Sequence, residues 1–345
     1  MHMADALLSP AVGGVMWVAT GATVAYSARK VREDLDESKV PLMGVAGAFV
    51  FAAQMINFTI PGTGSSGHLG GALLLAILLG PEAAFLVMAS ILAVQALFFA
   101  DGGLLALGAN VFNLGFFPAF VAYPFVYRKI AGAGPDLSRS RVVAGSVLAG
   151  VLGLLLGALG VVVQTTASGI TELSFGSFAL MMLPIHLAIG VVEGLVTAAV
   201  VLFVRRAEPG LLERSAARTP LRGLRLKPVV IGLAVAALVT GGVLSWYASA
   251  YPDGLEWSIA KVTGTEEELV ADSDAHQAAA DAQARTAILP DYNLKSGEGD
   301  EPGEADAAAG TSLSGVVGAL IVLAVAGALG FALRQRSTAR ASTRS

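Results

Sequence analysis

The chain has 345 residues, of which 55% are hydrophobic and 14% are charged, and its formal net charge is −4. Soluble proteins carry about 25% charged residues, so this composition excludes an ordinary soluble enzyme, a nucleic-acid-binding protein and a disordered chain. Cysteine is absent, which excludes disulfides, thiolate metal sites and iron–sulfur clusters. The composition predicts an all-α polytopic membrane protein whose chemistry depends on nitrogen and oxygen groups.

Nine apolar segments are candidates for membrane spans, since a helix that crosses the hydrocarbon core needs about 20 mostly apolar residues. The third of them is too short for a regular full span. No basic residues precede the first and no small-residue cleavage site follows it, so we expect a span there and not a signal peptide. The nine segments are 8–27, 42–58, 69–80, 83–100, 104–127, 142–165, 178–204, 228–249 and 313–333.

The basic residues predict the orientation of these spans. If the spans alternate, 19 of the 22 Lys and Arg residues fall on one side of the membrane. Loops rich in Lys and Arg stay in the cytoplasm, so we expect the N-terminus outside and the C-terminus inside. The sequence contains no GxxxxGK[ST] motif, so an ATP-driven process would need its motor on another polypeptide.

The first two residues, Met1 and His2, have a distinctive coordination chemistry. A free Met1 amine, the His2 backbone nitrogen and the His2 imidazole can close two fused chelate rings on one metal ion. One further imidazole would complete an all-nitrogen set, which suits Ni(II) or Cu(II) better than Zn(II) or Mg(II). The alternative is that His2 merely follows the first residue and has no role.

His68 is the candidate for that further imidazole, because the predicted topology places it on the same outer side as His2. It lies in a Gly- and Ser-rich stretch that begins at Pro61 and leads into the short third span. Irregular backbone at membrane depth is tolerated only where it is buried in protein or lines a cavity. The stretch therefore predicts a re-entrant loop that lines a site, although a lone loop histidine is more often not a ligand.

His186 and Glu193 lie within the seventh predicted span. Ionisable residues inside a membrane are rare and mark functional sites, so one hypothesis gives them a role in moving ions or protons. The alternative is that His186 packs against a neighbouring helix carbonyl and that Glu193 pairs with a polar group in the bundle.

The segment from 250 to 312 is acidic, with 14 Asp and Glu residues against three basic residues. Its second half, SGEGDEPGEADAAAG, is typical of a low-complexity linker. Two interpretations remain open: a solubilising outer loop, or weak capture of cations before delivery to the main site. We expect His276, which lies in this segment, to be solvated.

Several motifs resemble those of the CbiM/NikM family, the substrate-binding membrane subunits of cobalt and nickel energy-coupling-factor (ECF) transporters. The opening MHMADALLSP resembles the family's MHI-x-(D/E)-G-x-L-x-P, and IPGTGSSGHLGG resembles its IPS-x-TGSSSHPTG loop, whose histidine aligns with His68. The stretch from GPEAAF to ALGANVFNLG and the segment IHLAIGVVEGLVT are similar to two further family motifs. YPDGLEWSIAK and LPDYNL resemble the PDGLE module, a two-span accessory partner of these subunits.

The resemblance implies a domain organisation and a ligand set. It implies a seven-helix metal-binding core at 1–207, a basic cytoplasmic linker at 208–227 and a two-span accessory module at 228–345. The implied metal ligands are the Met1 amine, the amide and imidazole of His2, and the imidazole of His68. Two departures from the family pattern bear on the site: Ala6 replaces a Gly, and Leu69 with the following glycine replaces Pro-Thr. The residues expected to surround and support the ligands are Ser66, Asn110, His186 and Glu193.

The resemblance also implies a function. We expect high-affinity capture and import of Ni²⁺ or Co²⁺, bound as substrate and not as a catalytic cofactor, by a chain that is not an enzyme. The implied partners are a transmembrane coupling (T) subunit and ABC ATPase subunits in the plasma membrane of a bacterium or archaeon, with no role for nucleic acid. The alternatives are a self-sufficient proton-coupled secondary transporter or channel, which would use His186 and Glu193, and a membrane sensor or scaffold. The choice between nickel and cobalt stays open, because Co(II) follows Ni(II) closely in the order of metal affinities.

Overall fold

The computed structural model describes residues 1–34, 37–132, 138–265, 267, 269–293 and 304–342. Within them the regular structure is helical apart from one two-stranded hairpin, β1 (Phe58–Ile60) and β2 (Ser65–Gly67). The helices are α1 (Pro10–Asp34), α2 (Lys39–Gln54), α3 (Ala72–Leu79), α4 (Pro81–Phe99), α5 (Leu107–Val111), α6 (Arg128–Ala131), α7 (Arg139–Ser168), α8 (Phe175–Ala207), α9 (Pro209–Ala217), α10 (Lys227–Gly242), α11 (Gly254–Thr263), α12 (Asp274–Thr286) and α13 (Glu304–Ser342).

Helices α5 and α6 are the two ends of one continuous helix, Leu107–Ala131, whose middle is π-helical over Phe112–Tyr127. This middle part contains Pro118 and Pro124. Proline cannot donate the usual backbone hydrogen bond, and π-type turns are one way in which a membrane helix accommodates that loss. The helix crosses the bundle and brings Asn110, near its start, to the N-terminal segment.

Six helices in the described part of the chain are long and apolar enough to cross a membrane, as expected for a multi-pass membrane protein. They include α1, α4, α7, α8, the continuous helix Leu107–Ala131, and Ala309–Arg334 within α13. Each of the nine predicted segments contains a helix, but α2 and α10 have 16 residues each and α3 has eight. The predicted count of nine spans therefore stays a prediction.

Two helices end earlier than the apolar runs suggest, because other backbone structure begins there. After α2 the chain enters the β hairpin, and after α10 it forms a 3-10 turn at Leu244–Tyr247. Helix α13, in contrast, begins at Glu304, so the last part of the predicted acidic linker is helical, in keeping with its content of the helix-favouring residues Glu and Ala. The part of that linker at 294–303 lies outside the described residues.

Basic residues gather at one end of the bundle, where Lys30, Lys39 and Arg218 line one cavity. The orientation predicted from the alternation of spans stays a prediction. At this end Glu82 pairs with Arg218 at 3.0 Å, and Glu37 pairs with Arg334. The Ser215 hydroxyl donates to the Leu78 carbonyl there at 2.5 Å, which joins α9 to α3. The opposite end gathers the N-terminal segment, the β hairpin and helices α11 and α12. The fused C-terminal helices α10 and α13 pack against α2, so they extend the bundle of the first seven predicted segments.

Candidate metal centre

The N-terminal segment threads into the bundle instead of lying in solvent. Met1 is 4% exposed and Met3 is fully buried. The Met3 backbone N–H donates to Asn110 Oδ1 at 2.8 Å, and Asn110 Nδ2 donates back to the Met3 carbonyl at 3.1 Å. This reciprocal pair fixes the register of the first three residues, so the predicted supporting residue Asn110 holds the backbone next to His2.

A second anchor lies at the end of this segment, where Asp5–Leu7 forms a 3-10 turn that includes Ala6. His276 Nε2 donates to the carbonyls of Leu8 at 2.9 Å and Asp5 at 3.1 Å. The expectation that His276 is solvated was therefore wrong: it is 6% exposed. The reason is local: Ser273 caps α12 and directs the imidazole, in the first turn of that helix, towards the carbonyl groups of the N-terminal segment.

His2 is held by two residues that the sequence analysis did not single out. Its Nδ1 lies 3.1 Å from Asp101 Oδ1, and the Tyr292 hydroxyl donates to Asp101 Oδ2 at 2.5 Å. Burial raises the pKa of Asp101, but the charge and hydrogen bond of His2 and the Tyr292 hydrogen bond outweigh it and lower the pKa overall. Asp101 thus holds the His2 imidazole through Nδ1 in this structure. The sequence feature that could have identified Asp101 is its position as an acidic residue directly after the apolar span 83–100.

His68 approaches the N-terminus from the predicted loop. Its Nε2 lies 3.2 Å from the Met1 amine, and its Nδ1–H donates to the Leu69 carbonyl at 3.1 Å. The rings of His2 and His68 stack with centroids 4.9 Å apart. Burial, the positive charge of the Met1 amine and the neighbouring His2 lower the pKa of His68 to about 3. The imidazole is thus neutral and presents an Nε2 lone pair, the form that a metal ion needs.

The loop that carries His68 enters the bundle, and Glu193 of α8 secures its end. The Glu193 carboxylate accepts the backbone N–H groups of Gly70 at 2.8 Å and Gly71 at 2.9 Å. Gly71 has φ +83° and opens α3, a left-handed conformation that favours glycine. Gln54 donates to the Gly70 carbonyl at 2.8 Å. Glu193 therefore pairs with backbone polar groups, as the alternative interpretation of this residue anticipated.

The remaining predicted residues, Ser66 and His186, lie on either side of the C-terminal module's first loop. The Ser66 N–H and hydroxyl donate to the carbonyls of Pro252 and Tyr251, both at 2.8 Å. His186 Nδ1–H donates to the Met182 carbonyl at 2.8 Å. His186 Nε2 is buried without a partner among the described residues. His186 lines a small cavity together with Met1, His68 and Asp253.

Asp253 is a third residue that the sequence analysis missed as part of this site, although it belongs to the YPDGLE motif. Its Oδ2 lies 2.6 Å from the Met1 amine and 4.0 Å from His68 Nε2. Burial raises the pKa of Asp253, but the terminal ammonium and His68 outweigh it, so the pKa lies below its ordinary value and the carboxyl is ionised. The fused module thus contributes a negative charge to the predicted ligand set.

No group of three or more His, Cys, Asp and Glu side chains in the described part of the chain is arranged to hold a metal ion. The predicted ligand set does not need three such side chains, because two of its nitrogens are the terminal amine and the His2 amide. A fused chelate with that amide uses His2 Nδ1, the nitrogen that contacts Asp101 here. A metal ion and Asp101 would therefore compete for Nδ1.

Comparison with known proteins places the two parts of the chain. Residues 2–211 match the family described as "Cobalt uptake substrate-specific transmembrane region", and residues 227–335 match the PDGLE domain. A putative fused nickel transport protein NikMN from Archaeoglobus fulgidus is 37% identical over 341 residues, which is 96% of this chain and 98% of that protein. The cobalt transport protein CbiM of Sorangium cellulosum is 31% identical over 231 residues, 66% of this chain and 99% of that protein.

A solved structure is also similar. The crystal structure of a transition metal transporter has 32% sequence identity and a TM-score of 0.54, and the match covers 65% of this chain and 100% of that one. The sequence resemblance to the cobalt and nickel transport family and to the PDGLE module is thereby confirmed.

Proposed function

Because the chain belongs to the cobalt uptake substrate-specific transmembrane family and carries a PDGLE domain, we propose that it captures Ni²⁺ or Co²⁺ for import, as the specificity subunit of an ECF transporter. The ion is bound by the Met1 amine, the amide and imidazole of His2, and His68. The observation that carries this proposal is the distance of 3.2 Å between the Met1 amine and His68 Nε2 in a buried site. Neighbouring ligands around an ion with bonds of about 2.0–2.1 Å lie about 3 Å apart.

The proposed ion is a substrate that enters and leaves, so the site must open. All the strong donors of the proposed set come from the N-terminal segment and one loop, both held by hydrogen bonds to other elements. Rearrangement of these two segments, with the helices around them unchanged, is enough to release the ion. Residues 1–207 form the metal-binding core, 208–227 the cytoplasmic linker and 228–345 the accessory module in this proposal.

The energy for release comes from separate ABC ATPase subunits, acting through a T subunit in the same cell membrane. Two features support this part of the proposal. The sequence has no P-loop motif of its own, and the end of the bundle opposite the metal site carries Lys30, Lys39 and Arg218 around one cavity and is joined by α9. With the N-terminus outside, that end faces the compartment that holds ATP.

The test is metal binding by the purified full-length chain. Calorimetry with Ni²⁺ and with Co²⁺ is expected to give tight binding that is lost when an uncleaved tag extends the N-terminus, because the tag converts the Met1 amine to an amide. His2→Ala and His68→Ala should have the same effect, and a C-terminal tag serves as the control. Normal nickel and cobalt binding by the N-terminally extended chain would refute the proposed ligand set.

A secondary transporter is the second candidate, and one observation favours it: the buried Nε2 of His186 beside the cavity, which has no partner within the described ranges of the chain. Glu193, the other proposed proton group, is occupied by two backbone N–H groups, which argues against a relay. Vesicles that contain this chain alone separate the two candidates. Uptake driven by a proton gradient without ATP would establish the secondary transporter, whereas uptake only with added T and ATPase subunits supports the proposal.

A further inference from the structure

The carboxylate of Asp253 is fixed in place by the helix that follows it. Its Oδ1 accepts the backbone N–H groups of Leu255 at 2.8 Å and Glu256 at 2.9 Å, and the Glu256 side chain accepts the Asp253 N–H at 3.0 Å. This capping box occupies one carboxylate oxygen and sets the rotamer. The other oxygen, Oδ2, is directed at the Met1 amine.

The backbone around Asp253 is seated just as firmly. Ser66 binds the two carbonyls before it. Gly254, directly after it, packs so closely on α8 that an added Cβ would lie 2.6 Å from Ile185 Cγ2 and 3.2 Å from His186 Cε1. Only a residue without a side chain fits there, so the glycine at position 254 allows the module's loop to approach the candidate metal site this closely.

Three donor atoms of the site are spaced so that a single ion could bind all of them. The Met1 amine lies 3.2 Å from His68 Nε2 and 2.6 Å from Asp253 Oδ2, and the last two atoms are 4.0 Å apart. The circle through three points with these separations has a radius of about 2.0 Å, which is the length of a metal–nitrogen or metal–oxygen bond. One ion at its centre would contact all three atoms at bonding distance.

We propose that Asp253 is a further ligand of the transported metal ion, supplied by the PDGLE module through Oδ2. This rests on the proposed function, and it adds an anionic oxygen to a set of nitrogens. In the metal-free protein the same oxygen holds the terminal ammonium, so the incoming ion takes the place of a proton between the amine and the carboxylate. The module is thus part of the binding site.

The experiment compares the full-length chain with Asp253→Ser and Glu256→Gln. Serine caps a helix as well as aspartate does but has no second oxygen, and Glu256 is the other carboxylate of the capping box, which does not contact the amine. Circular dichroism establishes that each variant is folded. The readouts are the Kd for Ni²⁺ and Co²⁺ from calorimetry, and the visible and X-ray absorption spectra of the loaded protein.

We expect Asp253→Ser to raise Kd by at least about 10-fold, the scale at which partners of metal ligands act, and to change the visible and X-ray absorption spectra of the bound metal, because one light-atom ligand is removed. Glu256→Gln should leave the spectrum unchanged. An unchanged spectrum in Asp253→Ser, whatever its Kd, would overturn the proposal and leave Asp253 as a counter-ion of the ammonium only. Failure of the proposed function is distinct, because the unmodified chain would then bind neither metal.

Discussion

The anchoring of the N-terminal segment by His276 leads to a quantitative prediction for His276→Ala. The imidazole is buried and donates to two carbonyls of that segment, at 2.9 and 3.1 Å. A neutral hydrogen bond contributes about 0.5–1.5 kcal/mol net, and a buried carbonyl left without its partner adds to the loss. We therefore expect the free energy for opening the segment to fall by about 1–2 kcal/mol, which corresponds to about 5- to 30-fold more frequent opening.

Hydrogen exchange measured by mass spectrometry on the peptide that covers residues 1–8 is the assay. Exchange from locally opened states reports this free energy directly. Gln277→Ala is the matched control, because Gln277 is the exposed neighbour on the same helix. Unchanged exchange in a folded His276→Ala protein would show that the imidazole does not hold the segment, and the argument from its hydrogen bonds would fail.

Two further predictions concern the elements around the site. Gly254→Ala would bring a methyl group to 2.6 Å from Ile185, and overpacking of this kind destabilises a protein by about 1–3 kcal/mol. Thermal unfolding should therefore occur at lower temperature and metal binding should weaken. The control is Gly176→Ala, which has open space around it and should change neither property. Glu193→Gln leaves only one acceptor oxygen for the two N–H groups of Gly70 and its neighbour, at a loss of about 1.5–3 kcal/mol for a bond to a charged group. Calorimetry should therefore show a raised metal Kd for Glu193→Gln; intact binding with abolished uptake would instead indicate a role in proton movement.

Much of the fold was readable from the sequence because membrane helices are long apolar runs. All nine predicted segments contain helices, and the last turns of α8 and α9 are basic. The ends of α2 and α10 were not readable, since the apolar run continues past each of them, to Phe58 at the start of the hairpin and through the 3-10 turn at Leu244–Tyr247. Composition alone cannot tell where a backbone changes its hydrogen-bonding pattern.

The candidate site was predictable where topology and coordination chemistry coincide. Counting loops placed His2 and His68 on one side, and the structure brings the Met1 amine and His68 within 3.2 Å; their role as metal ligands stays a prediction. Asp253 and His276 were not predictable in this way, because their partners lie more than 250 positions away in the chain. An acidic loop looks solvated until the groups that it contacts are known.

The ion pair between Met1 and Asp253 joins positions separated by 252 residues, and this separation dictates an order of assembly. Polypeptides generally fold in the order in which they are synthesised. Here the earliest residues are fastened by some of the latest, since His276 holds Leu8 and Asp253 holds the terminal amine. The contacts of the N-terminal segment with Asp253 and His276 can form only after the ribosome has passed position 276, so this part of the site is completed late in synthesis.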